Sequence, residues 1–278
     1  MNHGDIPLGK AVEYVRQYDP KLLFPMPRAE TRASLNLSEN LPFRGSDQWT
    51  AYEISWLDNR GKPQVAMAEI TVDANSPNIV ESKSLKLYLN SYNQSVLASP
   101  QQFKKRLLLD LTEALGAEPE VKLLSLSETH CAQVLHCPGQ CLDDLEVSVS
   151  DYSPKPELLA VDKSQSVDRE LLYSHLLKTN CPVTGQPDWA TLWVEYSGCK
   201  IYKEGLLAYL ISFREHQDFH ENCVERIYCD LQQRCQPDQL TVYARYTRRG
   251  GLDINPLRTN TEPGASQIEK NRLRTVRQ

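Results

Sequence analysis

Apolar and polar residues alternate in two neighbouring stretches of the first half of the chain. The first alternation runs from Trp49 to Trp56 and the second from Val65 to Val72. Alternation places the apolar side chains on one face of a strand, so both stretches are predicted to be half-buried β-strands. The segment Asn59-Arg60-Gly61-Lys62 between them favours a turn. The pattern therefore predicts an antiparallel hairpin.

Helical spacing replaces this alternation further along the chain. Apolar residues recur at positions i, i+3, i+4 and i+7, and these are Leu85, Tyr88, Leu89 and Tyr92. One face of a helix is therefore predicted to be buried, with Ser82 or Ser84 capping its first turn. A second helix is predicted to begin at Ser99-Pro100 and to end at Gly116. Residues 121–126 are predicted to form a further strand.

The same plan recurs in the second half of the chain. Leu85-x-x-Tyr88-Leu89 has a counterpart in Leu206-x-x-Tyr209-Leu210, and Arg106-x-x-x-Asp110 has one in Arg226-x-x-x-Asp230. Apolar alternation flanks the second helix pair as well, over residues 189–196 and 240–246. Each half is therefore predicted to be an antiparallel sheet with two helices on one face, which is an α+β fold.

The repeat also suggests how the chain is divided. We predict a first module with an N-terminal arm over residues 1–147, a connector over 148–170, a second module over 171–258 and a mobile tail over 259–278. The connector prediction depends on Ser153-Pro154-Lys155-Pro156 and the polar run around it. The tail is polar, with scattered arginines.

Composition and charge restrict the class of partner. The chain has 278 residues, of which 40% are hydrophobic and 24% charged, a balance typical of a globular protein. A net charge of -5 argues against nucleic acid as the main partner and favours a small ligand. No apolar run approaches the roughly 18 residues that span a bilayer, and the first residues lack the pattern of a signal peptide. We therefore expect a cytoplasmic protein with no membrane partner.

The eight cysteines are expected to be reduced thiols, because the chain is long and shows no secretory signal. One group of residues offers several metal-binding atoms: His130, Cys131, His136, Cys137 and Cys141. It contains no C-x-x-C pair, and its spacing matches no zinc module. We therefore predict no metal site.

One cysteine differs from the others because of its neighbours. Cys181 is followed by Pro182 and then by a turn containing Gly185 and Pro187, and Asp188 stands where the next strand is predicted to begin. This arrangement can hold a thiol and a proton carrier in one pocket. The alternative is a half-buried structural thiol in a turn that Asp188 caps.

The two halves differ in their acidic residues. Seven residues before the repeated tyrosine, the first half has Glu81 and the second half has Tyr202. Nine residues before the repeated aspartate, the second half has Glu221 and the first half has Gln101. Such divergence is expected when a site is assembled from two copies that each keep one part of it, although drift would also produce it.

These residues together resemble a known family. The octapeptide Glu81-Ser82-Lys83-Ser84-Leu85-Lys86-Leu87-Tyr88, with Cys181, Asp188 and the pair His220-Glu221, is similar to the NADPH-dependent 7-cyano-7-deazaguanine reductases of queuosine biosynthesis. The resemblance covers most of residues 6–258 and is greatest to the two-module form. It implies two tandem tunnelling-fold modules, whose sheets associate into a barrel, and a homodimer.

The resemblance also implies a reaction. The nitrile of 7-cyano-7-deazaguanine would be reduced to an aminomethyl group by two NADPH, through a covalent thioimide on Cys181. Asp188 would donate a proton, and His220 would close on the reacting end of the base. Glu221 would accept hydrogen bonds from the N–H and amino groups of the base. The other implied substrate contacts are Val80, Glu81 and Ser82.

NADPH binding is expected at two segments. The helix start after Ser82 would offer free N–H groups, and Lys83 and Lys86 would offer positive charge, for a phosphate. The resemblance adds Arg249 and Gly250, which lie in a turn between two strands. An ordinary solvated helix face would carry the same lysines. No G-x-G-x-x-G motif follows a strand, so the pattern does not support a Rossmann site.

Two other functions fit part of the pattern. A thiol hydrolase or pterin-type enzyme on the same fold would use Cys181, His220 and Asp188 to activate water, and pterin-type relatives would also need zinc ligands. A non-catalytic purine-binding module would use only the carboxylates. Consumption of NADPH distinguishes the first alternative from a reductase, and a covalent adduct formed without NADPH excludes the second.

Overall fold

The computed structural model describes residues 15, 17–37, 40–127, 134, 137–270 and 274–278. The chain forms two compact units. Unit 1 comprises residues 1–38, 46–131 and 248–254, and unit 2 comprises residues 39–45, 132–247 and 255–278. The modules expected over residues 1–147 and 171–258 divide the chain differently and stay a prediction.

Unit 1 is built around a three-stranded antiparallel sheet. It begins with β1 (Pro25–Pro27) and α1 (Arg28–Ala33), which are followed by β2 (Arg44–Leu57), β3 (Pro63–Asp73), β4 (Asn78–Val80), α2 (Ser82–Ser91), α3 (Pro100–Leu115) and β5 (Glu120–Leu124). The strand order of the sheet is β5-β3-β2, and β1 pairs separately with β4. The predicted hairpin and the strand after it are therefore confirmed.

Helices α2 and α3 pack on the apolar face of this sheet. Trp49 and Ile70 of the sheet and Leu85, Tyr88 and Phe103 of the helices are all fully buried in one core. The signals for α3 are confirmed, since the Ser99 side chain accepts a hydrogen bond from the N–H of Gln102 and Gly116 ends the helix in the left-handed conformation at φ +70°.

The predicted cap of α2 was wrong. The N-cap is Glu81, whose carboxylate accepts hydrogen bonds from the N–H groups of Lys83 at 2.9 Å and Ser84 at 2.8 Å. Ser82 and Ser84 already lie inside the helix, where a serine cannot cap that helix start. The extended backbone at Glu81 places the longer acidic side chain over the first turn.

Unit 2 has a longer sheet. Its elements are β6 (Gln140–Cys141), β7 (Val161–Asn180), β8 (Pro187–Ile201), α4 (Lys203–Ser212), α5 (His220–Cys235), β9 (Gln239–Tyr246), β10 (Leu252–Thr259, of which the first three residues fall in unit 1) and α6 (Gln267–Lys270). The strand order is β10-β9-β8-β7-β6. All neighbouring pairs are antiparallel except β6 and β7, which are parallel. Residues 161–170 of the expected connector belong to β7.

The internal repeat is confirmed by matching contacts. In unit 1 the hydroxyl of Tyr88 donates to Asp110 at 2.6 Å, and in unit 2 the hydroxyl of Tyr209 donates to Asp230 at 2.6 Å. The positions of the two halves also correspond at the helix starts, since Glu81 is the N-cap of α2 and Tyr202 is the N-cap of α4. The α+β class predicted from the repeat therefore holds.

None of the described helices has the length and apolar character that crossing a bilayer requires.

Candidate active site

Cys181 lies in the short loop that joins β7 to β8. Its N–H donates to the carbonyl of Gln186 at 2.8 Å, and its carbonyl accepts from the N–H of Gly185 at 2.9 Å. Gly185 has φ +67°, a conformation that glycine adopts without strain. The Cys181 side chain is half-buried, so the loop holds its thiol in a fixed position without sealing it from solvent.

Asp188 stands at the start of β8, on the other side of this loop. Its side chain is 7% exposed, and its Oδ2 lies 3.5 Å from Nε2 of His220, the first residue of α5. The structure therefore brings Asp188 and His220 together as the sequence interpretation requires. A carboxyl group and an imidazole can pass a proton once they are about 2.6–3.2 Å apart, so this pair needs to close by only a few tenths of an ångström.

The His220 ring rests on an aromatic ring that the sequence did not point to. Tyr246, the last residue of β9, is stacked on it with 3.6 Å between ring centroids and 2° between ring planes. Burial, and then the charges of Cys223 and Asp188, raise the pKa of Tyr246 well above its ordinary value. The phenol therefore stays neutral and serves as a fixed support for the imidazole, whose buried Nδ1 has no hydrogen-bond partner among the described residues.

The start of α5 also places a carboxylate. Glu221 is in the first turn of the helix and is only 3% exposed. A carboxylate in the first turn is stabilised by the helix dipole. Asp218, just before the helix, orders this turn by accepting hydrogen bonds from the N–H of Phe219 at 2.8 Å and the side chain of Asn222 at 2.9 Å.

Seven cysteines fall in the described part of the chain, and all seven are free thiols. Burial is the largest cause that raises the pKa of Cys229 to about 12 and of Cys235 to about 11. Burial likewise raises the pKa of Cys223 well above its ordinary value, and that of Cys137 to a smaller extent. These four thiols are poor nucleophiles near neutral pH, because the thiolate is the reactive form.

In unit 1 the predicted cofactor residues meet at one place. Gly250 and Gly251 have φ +58° and +79° and form a tight turn closed by hydrogen bonds between Arg249 and Leu252 at 2.8 and 3.1 Å. Nζ of Lys86, on α2, donates to the carbonyl of Gly250 and lies 3.2 Å from Oε2 of Glu53. The structure therefore joins Lys86 to the Arg249–Gly250 turn, which the sequence placed far apart.

The expected phosphate site at the start of α2 needs a correction. The N–H groups of Lys83 and Ser84 are not free, because the carboxylate of Glu81 accepts both. A negative charge already fills the place that a phosphate would take. Val80 is buried at the end of β4, Glu81 is 1% exposed and Ser82 is exposed.

The predicted site residues thus form two sets in different units. Cys181, Asp188, His220 and Glu221 belong to unit 2, and Val80, Glu81, Ser82, Lys83, Lys86, Arg249 and Gly250 belong to unit 1. Sequence reasoning missed Tyr246, Glu53 and Asp218. Only Asp218 had a signal, since an aspartate just before a helix is a common capping residue.

The fold and the site define a class: an α+β repeat whose second copy has a half-buried cysteine in the loop before β8 and an aspartate–histidine pair at the start of β8 and α5. Family models agree with this description. One described as "Nitrile reductase, 7-cyano-7-deazaguanine-reductase N-term" matches residues 14–123, and one described as "QueF-like protein" matches residues 187–265. The chain belongs to this nitrile reductase family.

Curated relatives extend the match over nearly the whole chain. A protein of Bordetella parapertussis is 54% identical over 262 residues, which are 94% of this chain and 96% of that relative. A protein of Ralstonia nicotianae is 54% identical over 263 residues, 94% of this chain and 95% of that relative. Each of these relatives is named "NADPH-dependent 7-cyano-7-deazaguanine reductase".

Proposed function

We propose that this protein reduces the nitrile of 7-cyano-7-deazaguanine to an aminomethyl group with two NADPH, through a thioimide on Cys181. The names of the relatives support the reaction and its reductant. The observation that carries the mechanism is the half-buried thiol of Cys181 in the loop before β8, whose second residue, Asp188, lies 3.5 Å from His220.

Cys181 is the favoured nucleophile among the described thiols. Cys223, Cys229 and Cys235 are held in the neutral form by their raised pKa values. The hydrogen bonds on both backbone groups of Cys181 fix its loop, so little ordering remains to be done when sulfur approaches a carbon atom.

The chemistry at Cys181 is an addition. The sulfur forms a bond to the nitrile carbon, one π bond of the nitrile breaks, and its electron pair moves to nitrogen. Asp188 supplies a proton to that nitrogen, which gives the neutral thioimide. The proton that the Cys181 thiol loses restores the acid form of Asp188, and His220 can relay it. After the thioimide carbon has been reduced, the carbon–sulfur bond breaks and Cys181 departs as a thiol. The product of this step is an imine, and a second reduction converts the imine to the amine.

The base is recognised by its donor edge. An N–H and an amino group side by side match the two oxygens of a carboxylate, and Glu221 is a buried carboxylate in the same helix turn as His220. Burial strengthens such a pair because little water competes for the carboxylate. The parts that Val80, Glu81 and Ser82 take in substrate binding stay a prediction.

The turn of unit 1 fits a dinucleotide phosphate. Gly250 lets the backbone approach closely, since a Cβ there would lie 3.0 Å from the Lys86 side chain. Lys86 is held by Glu53, but this pair is 31% and 63% exposed and contributes less than about 1 kcal/mol. Lys86 can therefore exchange Glu53 for a phosphate at little cost, and Arg249 is exposed beside it. NADPH, when bound, supplies the hydride for each reduction.

The adduct tests the mechanism. The full-length protein is incubated with 7-cyano-7-deazaguanine without NADPH and its intact mass is measured. We expect one added molecule of substrate per chain, mapped to Cys181 by peptide analysis. Cys181→Ala should show no adduct and no turnover, and Cys199→Ala, which removes another half-buried thiol, should retain both. An adduct on another cysteine, or undiminished reduction by Cys181→Ala, would rule the mechanism out.

The same samples separate the alternatives. Conversion of the substrate without loss of NADPH absorbance would favour a thiol hydrolase, and binding without any adduct would favour a binding module. A homodimer, a role in queuosine biosynthesis and a cytoplasmic location remain parts of the proposal that equilibrium sedimentation, deletion of the gene and fractionation can test.

A further inference from the structure

A second group of reactive side chains lies in unit 2, apart from the candidate active-site residues. Cys141, Asp143 and His175 each offer one ligand atom, and these atoms all lie within 4.8 Å of one another. An ion at the centre of such a triangle would be about 2.8 Å from each atom, and zinc is bound at about 2.0–2.3 Å. Each side chain would need to move by less than about 1 Å to bind zinc.

The fold brings the three residues together through the parallel pairing of β6 with β7. Cys141 pairs with Tyr173, and the N–H of Leu142 donates to the carbonyl of Tyr173 at 2.9 Å. The chain then continues beside β7, so that Asp143 meets His175, 32 positions later in the sequence. Both oxygens of Asp143 accept the N–H of His175, at 3.2 and 3.1 Å.

Two of the three side chains are oriented by a further partner. Nδ1 of His175 lies 2.8 Å from Oγ1 of Thr191 on β8, and the hydroxyl of Ser174 donates to Oδ1 of Asp143 at 2.6 Å. Metal ligands characteristically have outer partners of this kind, which hold them in place before the ion arrives.

A glycine shapes the loop before β6. Gly139 has φ +96°, and a Cβ there would lie 2.5 Å from the carbonyl of Leu171. The glycine therefore lets the loop lie directly against β7 just before Cys141 pairs with Tyr173.

We propose that unit 2 binds one zinc ion through Cys141, Asp143 and His175. A thiolate, an imidazole and a carboxylate form a donor set that suits zinc, and three protein ligands leave the fourth position of its tetrahedron to water. The ion would hold the loop over residues 137–143 against β7. Asp143 can bind the ion and keep its hydrogen bonds to Ser174 and His175. Its carboxylate has about four acceptor positions, and the three hydrogen bonds leave one free on Oδ2.

The structure also explains why the sequence concealed this site. The expected absence of a metal was inferred from the spacing of His130, Cys131, His136, Cys137 and Cys141, of which the first three lie outside the described residues. The histidine and the carboxylate that complete the cluster belong to β7 and to the segment after β6. Their spacing follows a strand pairing and not a zinc-finger module.

Cobalt substitution tests the proposal on the full-length protein without substrate or NADPH. The metal is removed with a chelator, Co²⁺ is added, and the absorption spectrum is recorded during titration. We expect one Co²⁺ per chain, with the thiolate-to-cobalt charge-transfer band and the strong visible bands of a tetrahedral site. Zinc should abolish these bands by competition, and metal analysis of the freshly purified protein should find about one zinc per chain.

Variants identify the ligands. Cys141→Ser should remove the charge-transfer band or weaken Co²⁺ binding by about 100-fold or more, and Thr191→Val should weaken it by roughly 10- to 100-fold. Cys199→Ser and Cys181→Ser should bind as the unchanged protein does. His175→Cys should retain the site and intensify the band, because it adds a thiolate, and this gain remains decisive if Cys141→Ser fails to fold.

The proposal is overturned if the unchanged protein shows no cobalt band, or if Cys141→Ser keeps the band. Loss of the band in Cys181→Ser would assign the metal to the loop before β8 instead. None of these measurements depends on nitrile reduction, so the zinc site and the proposed reaction can fail independently.

Discussion

Each half of the chain contains a hydrogen bond from a tyrosine to an aspartate, but the two aspartates have different numbers of other donors. Asp110 of unit 1 accepts from Tyr88 at 2.6 Å and also from Tyr18 at 2.8 Å. Asp230 of unit 2 accepts, within the described part of the chain, only from Tyr209. Changing either Tyr88 or Tyr209 to phenylalanine removes one donor to the aspartate and keeps the ring. In unit 1 the change also removes the bond between the hydroxyls of Tyr88 and Tyr92 at 2.9 Å, and Tyr92, 3.4 Å from Oδ2 of Asp110, remains as a further donor.

The structure sets the expected magnitudes. A hydrogen bond to a charged group contributes about 1.5–3 kcal/mol to stability, and a buried acceptor without a donor costs more than one with a second donor. Tyr209→Phe should therefore destabilise unit 2 by about 3 kcal/mol, whereas Tyr88→Phe should destabilise unit 1 by about 1 kcal/mol because Tyr18 remains. For a chain of this size each kcal/mol lowers Tm by roughly 2–4 °C.

The loss in Tyr209→Phe should also depend on pH. Burial raises the pKa of Asp230 above its ordinary value, and the bond from Tyr209 and the charge of Arg226 oppose that rise. A raised carboxyl pKa stabilises the fold below the unfolded pKa, and this contribution is lost as pH rises through the folded pKa. Removing the donor raises the folded pKa further. The destabilisation should therefore be small near pH 4 and grow towards pH 7.

Urea unfolding measured between pH 4 and 7.5 tests both statements, with Asp230→Asn and the double variant as controls. Asparagine cannot ionise, so the pH dependence of the Tyr209→Phe effect should disappear in the Asp230→Asn background. Equal losses in Tyr88→Phe and Tyr209→Phe, or a loss in Tyr209→Phe that does not change with pH, would refute the reasoning.

Three further predictions concern the site. Brief alkylation of the native protein near neutral pH should leave Cys229 and Cys235 unmodified, because burial raises their pKa to about 12 and about 11. Peptide mapping that finds either cysteine labelled as fast as Cys181 would contradict this. Gly250→Ala should raise the KM for NADPH with little change in adduct formation, since the added Cβ meets the side chain of Lys86; an unchanged KM would count against the turn as a phosphate contact. Asp188→Asn should slow adduct formation by about 10²–10⁴-fold, measured by rapid-quench mass analysis, and a rate near that of the unchanged protein would remove its role as proton donor.

Local patterns were sufficient where structure is decided within a few residues. Alternation predicted β2 and β3, and the serine, proline and glycine at the ends of α3 predicted both of its boundaries. The helix repeat could be read as well, because Tyr88 and Tyr209 recur with the same neighbours and make the same bond to an aspartate. Cys181 and Asp188 were found because they are close in sequence.

Other features needed the folded chain. Glu81 rather than a serine caps α2, because the backbone turns at Glu81 and its carboxylate reaches two N–H groups. Tyr246 lies under His220 because α5 packs against β9, and His175 meets Cys141 and Asp143 through the parallel pairing of β6 with β7.

The sequence by itself determined the hairpin, the paired helices of each half, the repeat and the candidate thiol, because periodicity, capping and turn chemistry act over one or two turns of backbone. Tertiary structure alone decided which distant side chains share a site. The register between strands is chosen by the packing of the whole sheet, and shifting it by one residue would turn every side chain to the opposite face.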